Sequence, residues 1–377
     1  MKILDPLPND RILSLLLTLR CTAECRHCGT SSSPRVRSRL PVEDAKRLIS
    51  EAIEADYKLV VFTGGEPMLY GPDLYELITM TDLAGLSSRV VTNGFWARHE
   101  RTARRVAGRL REAGLREINF STGDQHTVFV PLENVIRGAR AALDEGLATS
   151  VMIEVVADAS VTRDVVTQHS LFIQAFGDVR ESVACDGHLI NFCESPWMPL
   201  DPDELADYPV GLAANAANVG ERLGCDSVIN TTTILADGRI MACCGLGTQS
   251  IPELEIGHVS RDGLADGYTR AGDDFLKRWI KVEGPERILA WAASIDPSIE
   301  WEDRYAHRCQ ACKRIYSDHR VRDVIATRYQ EKIPDVLFEE WLLFHCEQAD
   351  GVGNRVPTPL AQERDQRRAQ PGHPEGD

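Results

Sequence analysis

Cys21-Thr22-Ala23-Glu24-Cys25-Arg26-His27-Cys28 sets three thiols on one short loop, directly after the apolar run Ile12–Leu19. A thiolate is a soft ligand, and three on one loop suit an iron–sulfur cluster that keeps one iron open. Neither the packing of small side chains nor disulfide geometry accounts for three cysteines so close together. Such a loop needs a firm strand in front of it and walls around it, so the flanking pattern decides the fold.

From residue 12 to about 193, short apolar runs alternate with amphipathic ones. The strand candidates are Ile12–Leu19, Lys58–Thr63, Ser88–Thr92, Glu117–Ser121, Ser150–Val156 and Leu189–Phe192. Between them, helical spacing covers 42–55, 72–84, 98–113, 132–145 and 162–175. The fourth shows it well, with Val135, Ile136, Ala139 and Leu143 at three- and four-residue steps. Six strands with helices between them imply an α/β fold with a parallel sheet, either an open doubly wound sheet or a partial barrel. Function in such folds collects at the C-terminal ends of the strands. Cys21–Cys28 follows the first strand, Gly64-Gly65-Glu66-Pro67 the second, and Thr92-Asn93-Gly94 closes the third. Ser121-Thr122-Gly123-Asp124-Gln125-His126 follows the fourth, and Glu154 stands near the end of the fifth. Every unusual polar or Gly-rich stretch in this half falls at one rim.

Past residue 195 the alternation stops. Residues 196–222 read as a linker, and Ser227–Cys244 as a hairpin turning at Ala236-Asp237-Gly238. Helical stretches follow around 263–280 and 284–294, and Cys309-Gln310-Ala311-Cys312 opens another. The expected domains are 1–195, the linker 196–222, a smaller domain 223–347, and a polar, Pro-containing tail 348–377 read as disordered.

The chain has 377 residues, 43% of them hydrophobic, and a net charge of −15. So acidic a protein is repelled by phosphate backbones, which argues against a nucleic-acid partner. The best basic stretch, Arg98–Arg111, has helical spacing with Ala103, Val106, Ala107 and Leu110 on one face, so its arginines read as a solvated face. No basic n-region opens the chain and no run of eighteen apolar residues occurs, so a cytoplasmic protein with no membrane partner is expected. In that compartment eleven cysteines point to metal or redox chemistry more than to disulfides.

Cys-x3-Cys-x2-Cys after a first strand, with Gly64–Pro67 after the second, resembles the radical S-adenosylmethionine (SAM) superfamily over roughly residues 10–195. The resemblance implies a partial (β/α)6 TIM-like barrel in which Cys21, Cys25 and Cys28 hold a [4Fe–4S] cluster whose fourth iron chelates the methionyl group of SAM. An electron from the cluster then cleaves the sulfonium, and the resulting 5′-deoxyadenosyl radical abstracts hydrogen from a C–H bond. His27 would pack near the adenine, and the Gly64–Pro67 backbone would approach the methionyl ammonium closely, a physical reason for glycine there. Ser121 and Asp124 would contact ribose or nearby polar groups, or merely form the turn after the fourth strand. Asn93 is a cofactor contact or only the end of its strand. Glu154 faces the lumen as a substrate or cofactor ligand, or snorkels from the rim.

Cys225, Gly238 and Cys243, followed far later by Cys309-x2-Cys312, resemble the C-terminal extension of the SPASM and twitch subfamilies. These four cysteines would hold one auxiliary [4Fe–4S] cluster, with Cys244 an alternative to Cys243 because alternation along a strand aims only one of the two at the cluster. Zinc is the plainer reading of four cysteines in two groups. Four thiolates leave no open iron, which suits electron transfer and hence net oxidation. Cys185, Cys193 and Cys346 remain; buried cysteine is commonly a small hydrophobe, but Cys193 ends the sixth strand and could return a hydrogen atom in a redox-neutral epimerisation. Glu194, Trp197 and Met198 line the substrate cavity or pack the joint.

The expected activity is therefore a radical SAM oxidoreductase fed by an external electron donor such as flavodoxin or ferredoxin. Its substrate is a small polar metabolite, as in the aminocyclitol dehydrogenases of antibiotic pathways, or a ribosomal precursor peptide. A start close to the first strand tilts the expectation slightly to the small molecule. A non-catalytic iron–sulfur sensor is the reading from another class, and the intact Gly-Gly-Glu-Pro argues against it.

Overall fold

The computed structural model describes residues 11–177, 182–185, 188–201 and 204–350. The first half alternates as its pattern demands: β1 (Arg11–Thr18), α1 (Val42–Glu54), β2 (Tyr57–Gly64), α2 (Pro72–Leu83), β3 (Ser87–Thr92), α3 (Glu100–Glu112) and β4 (Glu117–Thr122). A short α4 (Asp124–Thr127), α5 (Leu132–Asp144), β5 (Ala148–Val155), α6 (Arg163–Gln168) and α7 (Ser170–Phe176) follow, then β6 (Ser182–Cys185) and β7 (His188–Pro196). The helix expected over 162–175 is two, because His169 turns extended and its Nδ1 caps Leu171 N.

Strands β1 to β5 and β7 pair in parallel in the order β1-β2-β3-β4-β5-β7, and β6 adds antiparallel to β7. β1 is buried along most of its length, as a parallel strand covered on both faces must be. Leu13, Leu15 and Leu17 are fully enclosed, each contributing roughly 2 kcal/mol. Val135, Ile136, Ala139 and Leu143 of α5 are all buried.

The hairpin of β8 (Thr231–Ile234) and β9 (Arg239–Met241) does not stand apart. β8 pairs in parallel with β1, Ile12 opposite Thr231 through Leu15 opposite Ile234, and β10 (Glu255–His258) extends the sheet beyond β9. The result is an open ten-stranded sheet, a partial barrel with seven parallel strands where six were expected. The seventh escapes the sequence pattern because its neighbour β1 lies more than two hundred residues away in the chain.

Helices α8 (Leu264–Asp273), α9 (Phe275–Glu283), α10 (Pro285–Ile295), α11 (Arg308–Ser317) and α12 (His319–Arg328) complete the compact unit that ends at Glu331. The run expected over 263–280 is broken at Asp274, whose carboxylate caps Lys277 N. Beyond that unit α13 (Ile333–Asp350) carries Phe338 stacked on Trp341. The tail expected from 348 thus begins inside a helix, and the rest of it lies outside the described residues. The side chains of Cys185 and Cys346 also fall outside what is described.

Candidate active site

The thiol loop leaves β1 and is anchored at once. Cys21 N donates to Ser33 O (3.1 Å) and Cys28 N to Cys25 O (3.3 Å), with His27 in the left-handed region (φ 52°). Two sulfurs have polar neighbours: Asn93 Nδ2 donates to Cys21 Sγ (3.6 Å), and Thr30 Oγ1 lies 3.4 Å from Cys28 Sγ. Burial pushes the Cys21 thiol up to about 11 and the Cys25 thiol up to about 12, and the neighbouring thiols push the same way. Three thiolates gathered here therefore call for a positive partner, since metal ligation requires them deprotonated.

Cys21, Cys25, Cys28, His27, Gly64, Gly65, Asn93, Ser121 and Glu154 all line one cavity of about 260 Å³ at the strand ends. Three buried polar atoms of its walls have no hydrogen-bond partner: Thr122 Oγ1, His126 Nδ1 and Glu154 Oε2. His126 Nδ1 is 3.2 Å from Glu154 Oε1 but not aligned for a hydrogen bond. Each such atom costs about 1–3 kcal/mol when dry, a cost that a polar ligand in this cavity would remove. The donor set and these orphaned atoms fit a cluster with a zwitterionic, hydroxyl-bearing ligand beside it.

The glycines answer first to the chain itself. Gly64 has φ 120°, and a Cβ there would stand 2.4 Å from Thr18 O; a Cβ on Gly65 would stand 2.4 Å from Arg20 O. Gly65 N donates to Thr18 O (2.7 Å) and Glu66 N to Arg20 O (2.9 Å), so the exit of β2 is pressed against the exit of β1. Close packing of the two strand ends thus demands glycine whether or not a ligand approaches.

Two carboxylates expected at the cofactor turn away from the cavity. Glu66 is fully buried and accepts from Thr92 Oγ1 (2.9 and 3.0 Å), Asn93 N (2.9 Å) and Met68 N (3.1 Å), clamping the ends of β2 and β3 together. Burial raises its carboxyl to about 7. Pro67 opens the 3₁₀ turn behind it and likewise does not line the cavity. Asp124 accepts from Ser160 N (2.8 Å) and Val161 N (2.7 Å), holding the loop after β5. Both were legible as rim carboxylates, but sequence does not say which way a rim side chain turns.

His27 lines the cavity yet is already engaged. Its Nδ1 accepts from Leu200 N (3.0 Å), which leaves the proton on Nε2 to meet Glu204 Oε2 at 2.6 Å, and Trp197 packs edge-on at 5.5 Å. The imidazole thus ties the thiol loop to residues 197–204.

The second cysteine group surrounds a separate cavity of about 570 Å³ lined by Cys225, Cys243, Cys244, Cys309 and Cys312. Cys225 N donates to Ile280 O (3.0 Å). Cys309 and Cys312 lie three apart on α11, hence on one face, and His307 caps that helix by accepting from Cys309 N (3.1 Å). A Cβ on Gly245 would lie 3.1 Å from Cys309 Sγ and 3.5 Å from Cys243 Sγ, so these sulfurs share the space above that glycine. β9 ends at Met241, so strand alternation does not choose between Cys243 and Cys244, and both thiols line the cavity. Cys243 is the buried one, beside Thr248 Oγ1 (3.4 Å), while Cys244 pairs with Ser227 Oγ (3.1 Å). Burial raises the Cys243 thiol to about 12 and lifts Cys309 and Cys312 further, with the neighbouring thiols adding to it. Among the described residues no three His, Cys, Asp or Glu side chains are drawn together around a single metal-ion position.

Met152, Ser195, Pro196 and Leu246 line both cavities. Glu194 lines the larger one, and Trp197 and Met198 the smaller. Cys193, opposite Met152 on β7, is not among the lining residues of either. Met152 was missed, although it shares a strand face with Glu154 at period two. Nothing in the sequence marks Leu246.

Residues 15–156 match the model of the Radical SAM superfamily, and the chain carries a radical SAM domain there. Enzymes of this superfamily use a [4Fe–4S] cluster and SAM. The chain is similar to a putative peptide biosynthesis protein, YydG, of Bacillus subtilis (strain 168), 26% identical over 166 residues that are 43% of this chain and 50% of the relative. It is also similar to a probable GTP 3′,8-cyclase of Methanopyrus kandleri, 35% identical over 156 residues, 39% of this chain and 47% of the relative. The chain thus spans about half the length of the curated relatives it matches. Among solved structures it aligns with native anSMEcpe bound to AdoMet and a Cp18Cys peptide at 13% identity and TM-score 0.49, covering 88% of this chain and 99% of that one. No helix among the described residues is long and apolar enough to cross a membrane.

Proposed function

We propose that this chain is a radical SAM oxidoreductase with two [4Fe–4S] clusters, acting on a small polar metabolite. Cys21, Cys25 and Cys28 would hold the first cluster, and Cys225, Cys243, Cys309 and Cys312 the second, in a domain of the SPASM/twitch type. The observation that carries this reading is the pair of thiol-lined cavities that share Met152, Ser195, Pro196 and Leu246 as common wall. When bound, the first cluster and SAM supply one-electron cleavage of the sulfonium and a hydrogen-abstracting radical, and the second supplies an acceptor for the electron left on the substrate.

The chain's own residues position and enclose. Asn93 donates toward Cys21 Sγ, and such hydrogen bonds to sulfur tune a cluster. Thr122, His126 and Glu154 offer unpaired polar atoms to a ligand's hydroxyl and ammonium groups. Glu66 works at one remove, holding Asn93 by its backbone. The Trp197 and Met198 side chains give the smaller cavity an apolar wall, consistent with radical chemistry that must be kept from side reactions. The similarity to YydG favours a peptide substrate as the second reading. Cys193, outside both linings, gives little support to epimerisation.

Reduced, reconstituted protein should convert SAM to 5′-deoxyadenosine, and with its substrate should give one two-electron-oxidised product per turnover. Protein that carries its clusters but leaves SAM intact would overturn the proposal. Product that carries solvent deuterium without loss of two electrons would replace oxidation by epimerisation.

A further inference from the structure

We propose that the flank of the thiol loop carrying Arg20, Arg35, Arg37 and Arg39 is the docking surface for a small acidic electron-transfer protein. This rests on the reading that Cys21, Cys25 and Cys28 hold a cluster, because the surface has its purpose only beside one. In a chain of net charge −15, Arg20–Arg39 holds five arginines against the single Glu24. All five are exposed. Backbone bridges bind the two strands of this flank together, Thr18 with Arg39 and Arg20 with Ser33, and Cys21 N reaches Ser33 O. The backbone of Arg20 and Arg39 is therefore held at the exit of β1, with Arg20 next in the chain to the first thiol.

Local carboxylates neutralise only part of this charge. Arg26 pairs with Glu204, Arg35 with Glu24 and Arg39 with Asp73. Arg20 and Arg37 make no ion pair among the described residues, and Arg37 reaches only Pro34 O (3.2 Å). At Gly29 the loop is covered, since Gly247 N and Gln249 Nε2 both donate to Gly29 O (3.0 Å each). Electron transfer weakens steeply with distance, so a donor must approach close to the loop, and the exposed residues around it include these arginines. There it meets positive charge, which speeds encounter with an acidic partner and repels a basic one. One electron leaves the partner's reduced centre, which is oxidised by one, and enters the cluster, which is reduced by one; no atom is exchanged.

The rival basic surface is α3, with five arginines from Arg101 to Arg111 and Arg98 just before it. There Arg104 pairs with Glu100 and Arg109 stacks on Tyr75. An acidic flavodoxin in its hydroquinone form is the probe, with affinity measured against salt on the reconstituted protein and the oxidation rate followed by stopped flow. Arg20→Glu/Arg37→Glu should weaken binding about tenfold at low salt and flatten its salt dependence. Arg101→Glu/Arg105→Glu should leave both within twofold. Iron content and dithionite-driven SAM cleavage should be unchanged in either variant. Where the charge reversal costs iron, Arg20→Gln/Arg37→Gln replaces it, with a weakening of about threefold expected. Unchanged affinity in the loop variants, or a loss confined to the α3 variant, overturns the proposal. Absence of the first cluster shows separately in the iron assay and counts against the underlying reading alone.

Discussion

The two cysteine groups are built in opposite ways. Cys21, Cys25 and Cys28 sit on one loop whose shape is fixed by near neighbours and by the exit of β2. Cys225, Cys243, Cys309 and Cys312 come from three separate segments, brought together by the β8–β9 hairpin, α9 and α11. A group on one loop loses a ligand site when mutated but leaves the surrounding sheet intact. A group gathered from distant segments closes long loops, so its metal contributes to folding as well as to chemistry.

The largest effect should come from the first group. Replacing Cys21, Cys25 and Cys28 by Ala should remove about four irons and all 5′-deoxyadenosine formation, with the unfolding temperature nearly unchanged. Cys309→Ala/Cys312→Ala should remove the other irons, lower the unfolding temperature by several degrees, and leave some SAM cleavage; calorimetry and iron assays on both sets test the contrast. Equal thermal losses in the two would erase it.

Glu66 sharpens the first half of the comparison. All its partners are donors, so Glu66→Gln, which sets an amide against them, should destabilise by about 2 kcal/mol in urea unfolding. Its carboxyl is raised from 4.5 to about 7. Between those values the native state keeps a proton that the unfolded state has lost, so stability should fall as pH rises from about 4.5 to 7 and then level off. The Gln variant should lose that slope. Asn93→Ala should have the smallest effect, moving the first cluster's potential negative by loss of an N–H donor near Cys21 Sγ, with no change at the second cluster; redox titration followed by electron paramagnetic resonance reads both.

Much of this was legible in advance. Local periodicity marked the strands and helices of the first half, and the rim rule gathered Cys21, Asn93, Ser121 and Glu154 before their cavity was seen. What failed was long-range or directional. β8 joins β1 across the length of the chain, which no window of residues reveals. Glu66 and Asp124 are carboxylates at the rim, but donors other than a ligand take them away from the cavity, Glu66 into the core and Asp124 toward the loop after β5. His169 and Asp274 divide helices that apolar spacing runs together, because a side-chain cap there competes with helix continuation.

The central claim is that both thiol-lined cavities hold clusters. Anaerobic reconstitution followed by iron, sulfide and zinc analysis with Mössbauer spectroscopy tests it directly. About eight irons per chain, all in [4Fe–4S] clusters, are expected. About four irons with one zinc would contradict it, leaving the second cysteine group as a structural metal site with no part in moving electrons.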